Sequence, residues 1–406
     1  MLAAAAAASL CSCSYRETQV NEAPKQVSFS WWGTDDRNER TLQGLSKFTE
    51  DTGIDVRPQY SEFSGFRAHM DAQFYSDTEA DVMQLNYDWL YDYSPQGDGF
   101  YDLEELGKYI DLSTYPKNSL ECGRVNGKLI ALPYSLNVLT FSYNKDIYDK
   151  YGVDIPTNWD ELIAAGEILG QHHIYALGIS EKHMWMLCCA YFKQVTGRQV
   201  FNSEGDLLLR DADLQLMLEF ANRLDNSHVA NINNEYNRSD LISGNTAGVL
   251  TWISELDNYE TTARENGFEM ILGDYLTVEQ PLNFGWEVKP TGVYSIKKTT
   301  ESAENSAKLL NFLINSPKMA GVLGLSKGVP ISRSAVEALE ARDMLKGLGY
   351  EAACKMNDEQ SFENMTPYLE KSTYIEAFTD ARKSIFYDKT SPADAAKTAL
   401  TNMIGS

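Results

Sequence analysis

The chain has 406 residues, with 58 acidic against 35 basic side chains and a formal charge of −23. Such acidity excludes a nucleic-acid partner, which needs basic surface to displace counterions, and excludes attachment to anionic lipid through a polybasic patch. At about 150 residues per domain, the length implies two or three domains with a large core.

In chain order, the first feature is a short apolar run. Ala3 to Leu10 is alanine-rich and stops at Leu10-Cys11-Ser12-Cys13. A bilayer span takes about 20 apolar residues, so the run fits the core of a signal peptide instead. Leu, a small residue, Ser and Cys is the order read in bacterial lipoprotein processing. Cleavage before Cys13 is expected, leaving that cysteine lipidated, with 1–12 as signal peptide and 13–26 as a lipid-anchored tether. Cys11 competes for this role but has the large Leu10 directly before it. No Lys or Arg precedes the run, and the alternative reading is a disordered alanine-rich leader. The remaining chain is then extracytoplasmic and held at the cell membrane by lipid.

Val27-Ser28-Phe29-Ser30-Trp31-Trp32 alternates and meets Gly33, which predicts a strand. Glu39 to Thr52 carries Leu42, Leu45 and Phe48 at helical spacing and closes on Gly53. Strand Ile54–Pro58, helix Phe66–Tyr75 and strand Ala80–Leu85 follow. Strand, helix, strand, helix, strand predicts a parallel sheet with right-handed crossovers, whose ligands sit beyond the carboxyl ends of the strands. A short helix is expected over Asp102–Tyr109 and a tight turn at Asn126-Gly127-Lys128, then strands at Leu129–Tyr134 and Leu139–Tyr143. In Pro156-Thr157-Asn158-Trp159-Asp160-Glu161, Thr157 is expected to cap a helix with Asp160 in the capping-box position. Helices are predicted over Met184–Gln194, Asp211–Asp225, Tyr259–Glu265, Ser302–Ile314 and Ser316–Leu325, strands over Gly248–Trp252 and Gly292–Ile296, and a mostly helical end from Ala335. Cys122, Cys188, Cys189 and Cys354 show no CxxC spacing, so no zinc or other metal site is expected; disulfides among them stay open.

Four segments in the same order resemble one family. They are Phe29–Gly33 with Arg37 and Thr41; Ala80–Asn86 with Trp89; Leu132-Pro133-Tyr134 through Tyr143-Asn144-Lys145 and on to Pro156–Glu161; and Lys327-Gly328-Val329-Pro330-Ile331-Ser332. The chain resembles the extracellular solute-binding lipoproteins of carbohydrate ABC importers, the maltose-binding-protein-like family 1, over nearly everything from Val27 onward. Asn158, inserted between Thr and Trp, departs from the family pattern. The resemblance implies an α/β, two-lobed (type II) periplasmic-binding-protein fold, with parallel-rich sheets flanked by helices and hinge strands between the lobes. It implies lobe one at 27–137 plus 287–340 and lobe two at 138–286 plus 341–406. It also implies a monomer without cofactor that captures an oligosaccharide in the cleft and delivers it to the ABC transporter permease.

A sugar has apolar C–H faces that stack on rings, and hydroxyls that need forked polar partners. The strand-end loops hold that mixture. Trp31 and Trp32 point to opposite faces, and Trp32 is the one expected at the ligand, with Asp35 and Arg37 in the following loop. Glu62 and Phe63 follow the second strand, and Tyr87 and Asp88 the third; Tyr134 and Asn137 lie on the hinge crossing. From lobe two come Trp185 and Trp252 as platforms, with Trp286 and Glu287 at a crossing and Arg333 after the Gly-Val-Pro segment. The opening with Arg37 also resembles binding proteins for pectin-derived acidic oligosaccharides, which pairs Arg37 with a uronate. The alternative is an extracellular glycosidase or lyase. No catalytic serine, zincin or phosphate-loop pattern supports an enzyme, and the histidines form no constellation.

Overall fold

The structure is a computed structural model that describes residues 26–202, 204–233, 236–358 and 362–405. The signal peptide, Cys11, Cys13 and all of the tether except Gln26 lie outside the described residues. Ten strands are described: β1 (Gln26–Trp32), β2 (Asp55–Ser61), β3 (Val82–Leu85), β4 (Arg124–Val125), β5 (Lys128–Leu129), β6 (Leu132–Asn144), β7 (Gly248–Trp252), β8 (Met270–Leu272), β9 (Glu287–Ile296) and β10 (Glu363–Asn364). Eight of them form one sheet in the order β2-β1-β3-β9-β6-β7, with β10 on β9 and β8 on β6.

The expected parallel pairing holds where strand and helix alternate: β1 lies parallel to both β2 and β3. Antiparallel pairing takes over at β9 and β6, which run 10 and 13 residues. The two strands expected at Leu129–Tyr134 and Leu139–Tyr143 are in the main one long strand. Its residues up to Val138 pair with β9, and those from Leu139 on with β7 and β8. Within the β9-paired part the register slips on both sides of Ser135: Pro133 faces Val293, Ser135 faces Gly292 and Leu136 faces Pro290, so Tyr134 and Thr291 stand out of the ladder. A bulge bends a strand locally, and here it coincides with a change of core.

Tyr134 packs with Phe29, Phe48, Leu132 and Tyr294, whereas Leu136 packs with Val138, Leu256 and Met270. On β9 the change falls between Val288 and Val293, and near the C-terminal part between Leu345 and Leu348. The largest core gathers Phe141, Trp159, Trp185, Phe220 and Phe378 on the second side of that change. Burial of separate apolar sets on either side of two continuous strands makes two bodies, which the chain crosses between on β6, on β9 and again after Leu345.

Three helix starts differ from expectation. The first helix spans Asp35–Thr52, four residues longer at its start than the apolar spacing required, because acidic Asp35 and Asp36 suit the positive end of the helix dipole. Asp35 and Arg37 therefore stand on a helical turn, not in a loop. The helix Phe63–Ser76 is broken at Ser64 and Gly65, the latter at φ 96°. At Trp159–Gly170 the cap is Asn158, whose side-chain oxygen accepts from Glu161 N at 3.0 Å; Glu161 in turn accepts from Thr157 N and Oγ1 at 2.8 Å. The inserted asparagine moves the cap one residue on from Thr157. Asn158→Ala is expected to lower stability by about 1 kcal/mol in chemical denaturation, with a smaller loss for Thr157→Ala.

Candidate functional site

The carboxyl ends of β1, β2 and β3 each bring one aromatic ring to the same place. Trp31 turns inward, 4.9 Å from Phe29 and 4.8 Å from Tyr60, and its indole N–H donates to Asn38 Oδ1 at 3.0 Å. Trp32 takes the opposite face, with ring centroids 5.5 Å from Phe63, Phe66 and Trp89. Phe63 stacks on Trp89 at 5.8 Å and 9° and is 54% exposed, so it presents a flat apolar face backed by two buried indoles. Arg67 lies 5.3 Å from the Trp89 ring centre and pairs with Asp92.

On the Trp31 side of β1 sits a group of cations that pair with no carboxylate among the described residues. Arg37 folds over Gly33, where a Cβ would stand 3.2 Å from Arg37 Cβ and Cδ. Its buried Nε has no hydrogen-bond partner among the described residues. Arg37 acts electrostatically on Tyr134, Tyr294 and Lys327. Lys327 is buried at the start of the Gly-Val-Pro segment. Its Nζ donates to Gln84 Oε1 at 2.7 Å and Tyr294 Oη at 2.8 Å, while Gln84 Nε2 donates to Tyr134 Oη at 3.3 Å. Burial, reinforced by Arg37, holds the Lys327 amine well below the usual lysine range.

A second charged group joins the two bodies. Lys289 on β9 and Lys182 both pair with Glu370, and the Lys289 ammonium stands 4.5 Å over the Trp252 ring. His183 meets Trp252 edge-on at 5.6 Å; burial and then Lys182 lower its imidazole to about 4, so it is neutral near pH 7. Asp88, held by Asn86 Nδ2 at 2.6 Å, reaches this group from the other body: burial and Glu370 raise its carboxyl, and Lys289 opposes them. Burial works against the charge of Glu370, yet Lys289 and Lys182 hold it below the usual range.

The family model for bacterial extracellular solute-binding proteins matches residues 44–344. The chain belongs to that family. A probable amino-acid ABC transporter periplasmic-binding protein of Sinorhizobium fredii is 26% identical over 71% of this chain and 69% of its own length. The crystal structure of a periplasmic solute-binding protein of Pectobacterium atrosepticum superposes with a TM-score of 0.87 at 25% identity, covering 93% of this chain and 97% of that one. A periplasmic oligogalacturonide-binding protein of Yersinia enterocolitica, solved with saturated digalacturonic acid, gives 0.83 at 27% identity over 93% and 98%. The fold is thus the two-lobed one of the periplasmic solute-binding proteins, with Trp32, Phe63 and Arg37 on one lobe and Trp252 on the other.

Several expected site residues of this solute-binding protein stand elsewhere. Trp185 is 0% exposed, its N–H donating to Leu369 O at 3.1 Å and its ring packed on Phe378; it is core, not a platform. Trp286 is likewise core, bonded to Leu276 O at 2.9 Å and packed on Phe141. Both are corrected for one reason: the helix Glu181–Thr196 turns Trp185, and the loop just before β9 turns Trp286, into the largest apolar cluster. Glu287 is committed to buried Lys193 at 3.0 Å, and Asn137 clamps Ser254 through its amide N–H at 3.0 Å and its oxygen at 3.2 Å. Tyr87 is buried with its hydroxyl 3.5 Å from that of Tyr91. Asp35, Glu62 and Arg333 are exposed on helix starts, away from these bonds. Lys182, Lys289, Lys327, Gln84 and Glu370 were not anticipated; only Gln84 and Lys327 lay in segments already singled out.

Among the described residues no group of His, Cys, Asp and Glu is placed to hold a metal, and the described cysteines are free. No helix among them is long and apolar enough to cross a membrane.

Proposed function

We propose that this protein is the receptor of an ABC importer that closes over an acidic oligosaccharide and hands it, unaltered, to the permease. In this reading the lobes divide where the cores change, between Tyr134 and Leu136 on β6, between Val288 and Val293 on β9 and between Leu345 and Leu348, close to the expected bounds at 137, 287 and 340. The chain works as a monomer tethered through lipidated Cys13. The observation that carries the reading is Arg37: a guanidinium folded over Gly33, the residue after Trp32, with a buried N–H and no hydrogen-bond or carboxylate partner for it among the described residues. An unpaired buried donor is costly in the free protein, and a ligand carboxylate would satisfy it. The exposed Phe63 ring suits the C–H face of a sugar. The ligand of the Yersinia relative, digalacturonic acid, supplies both features.

Calorimetry and tryptophan fluorescence against trigalacturonate, maltotriose and free amino acids test this. Saturable binding of trigalacturonate is expected, with the sugar recovered at its original length. Shortened product would establish an enzyme instead, and binding of amino acids alone would replace the sugar reading with the one in the Sinorhizobium relative's name.

A further inference from the structure

Lys327 is a buried lysine that pairs with no acid among the described residues. The side chains that bear on it come from every element around it: Arg37 from the first helix, Gln84 from β3, Tyr134 from β6 and Tyr294 from β9. Arg37 is the other cation in this group, and the tyrosines are held in their neutral form by burial. Ser135 Oγ donates to the Lys327 carbonyl at 2.7 Å and holds its backbone in place.

The hydrogen bonds count the protons. Two acceptors face Nζ, Gln84 Oε1 and Tyr294 Oη. A neutral amine has two N–H groups, and an ammonium three. The site thus matches the two N–H groups of the neutral amine and leaves the third N–H of the ammonium without an acceptor among the described residues. Next to it, Arg37 Nε also lacks one. A single incoming anion would meet both needs at once.

We propose that Lys327 is the charge-compensating partner of Arg37, taking up a proton from solvent when a carboxylate of the ligand docks at Arg37, so that capture of an acidic ligand is coupled to proton uptake. This rests on the proposed reading of the cleft as an acidic-sugar site. No covalent bond changes. The free site holds a guanidinium and an amine, and the loaded site holds a guanidinium, an ammonium and the ligand's carboxylate, with one proton withdrawn from the buffer. A neutral sugar in the same cleft brings no anion and draws no proton. Lys327 then discriminates by charge, and each unit by which the carboxylate raises its pKa above the working pH is a tenfold gain in affinity.

The test is calorimetry of trigalacturonate binding in phosphate and in Tris, whose ionisation enthalpies differ, between pH 7 and 8. The wild-type protein is expected to take up close to one proton per ligand, and none with maltotriose. Lys327→Arg keeps a permanent charge, so it should bind trigalacturonate without uptake. Lys327→Met should lose both the uptake and about tenfold or more in affinity, and the arginine variant covers a methionine variant that fails to fold. Trigalacturonate binding with no proton uptake by the wild type, or uptake that persists in Lys327→Arg, overturns the inference while leaving the receptor standing. Absence of binding to any saccharide removes the proposed function, and the inference falls with it.

Discussion

Arg37→Gln is expected to weaken trigalacturonate binding by about 10- to 100-fold while leaving the thermal midpoint almost unchanged. Hydrogen bonds to charged groups contribute about 1.5–3 kcal/mol, which is that range of affinity. The stability half of the expectation follows from what Arg37 lacks. It has no ion pair or hydrogen-bond partner for its Nε among the described residues, so its removal strands nothing. Affinity for the acidic sugar should fall as salt rises in the wild type, and less steeply in the variant, since a partly exposed cation is screened. Titration calorimetry at two salt concentrations, paired with a melting curve, measures all three effects. Equal losses for trigalacturonate and maltotriose would mean that Arg37 positions the wall and reads no charge.

The parts of this site that the sequence made legible are those governed by local pattern. Alternation in Val27–Trp32 sends one indole inward and the next to the strand-end wall, and the structure divides Trp31 and Trp32 in that way. Phe63 directly follows β2, and Asp88 lies just beyond β3, so topology alone brought them near the ligand side. The misplaced residues share a different origin. Trp185 sits in Met184-Trp185-Met186-Leu187-Cys188-Cys189, a run so apolar that a core role was readable there, but an indole suits core and platform equally. Glu370 and Lys289 were invisible because 81 residues separate the two partners of their bond. No spacing rule connects a short helical turn near the C-terminus to a hinge strand. Asn158 shows the smallest failure: a one-residue insertion shifts a capping motif, and only the geometry says which side chain takes the cap.

Asp225→Asn is expected to destabilise the protein by about 3–5 kcal/mol, the usual result of removing one partner from a buried ion pair. Asp225 and Arg382 are 1% and 7% exposed at their side chains and bond twice: Arg382 Nε donates to Oδ2 at 2.8 Å and Nη2 to Oδ1. The pair ties the helix Asp211–Asn226 to the helix Ser372–Tyr387, so it fastens the C-terminal part onto the second lobe. Burial raises the Asp225 carboxyl and Arg382 opposes that rise, so the charge is tolerated only because the guanidinium is present. The amide keeps the shape and leaves the guanidinium uncompensated. For a body of about 200 residues the cost corresponds to a fall of about 10 °C in melting temperature. The double variant Asp225→Leu with Arg382→Met should recover most of the loss, because no charge is then stranded. If the single and double variants melt alike, the pair is not the fastening. If the single variant melts low but still binds trigalacturonate at low temperature with unchanged affinity, the fastening is structural and lies outside the sugar-reading machinery. That outcome is expected, because Arg37, Lys327 and Phe63 all stand on the other lobe.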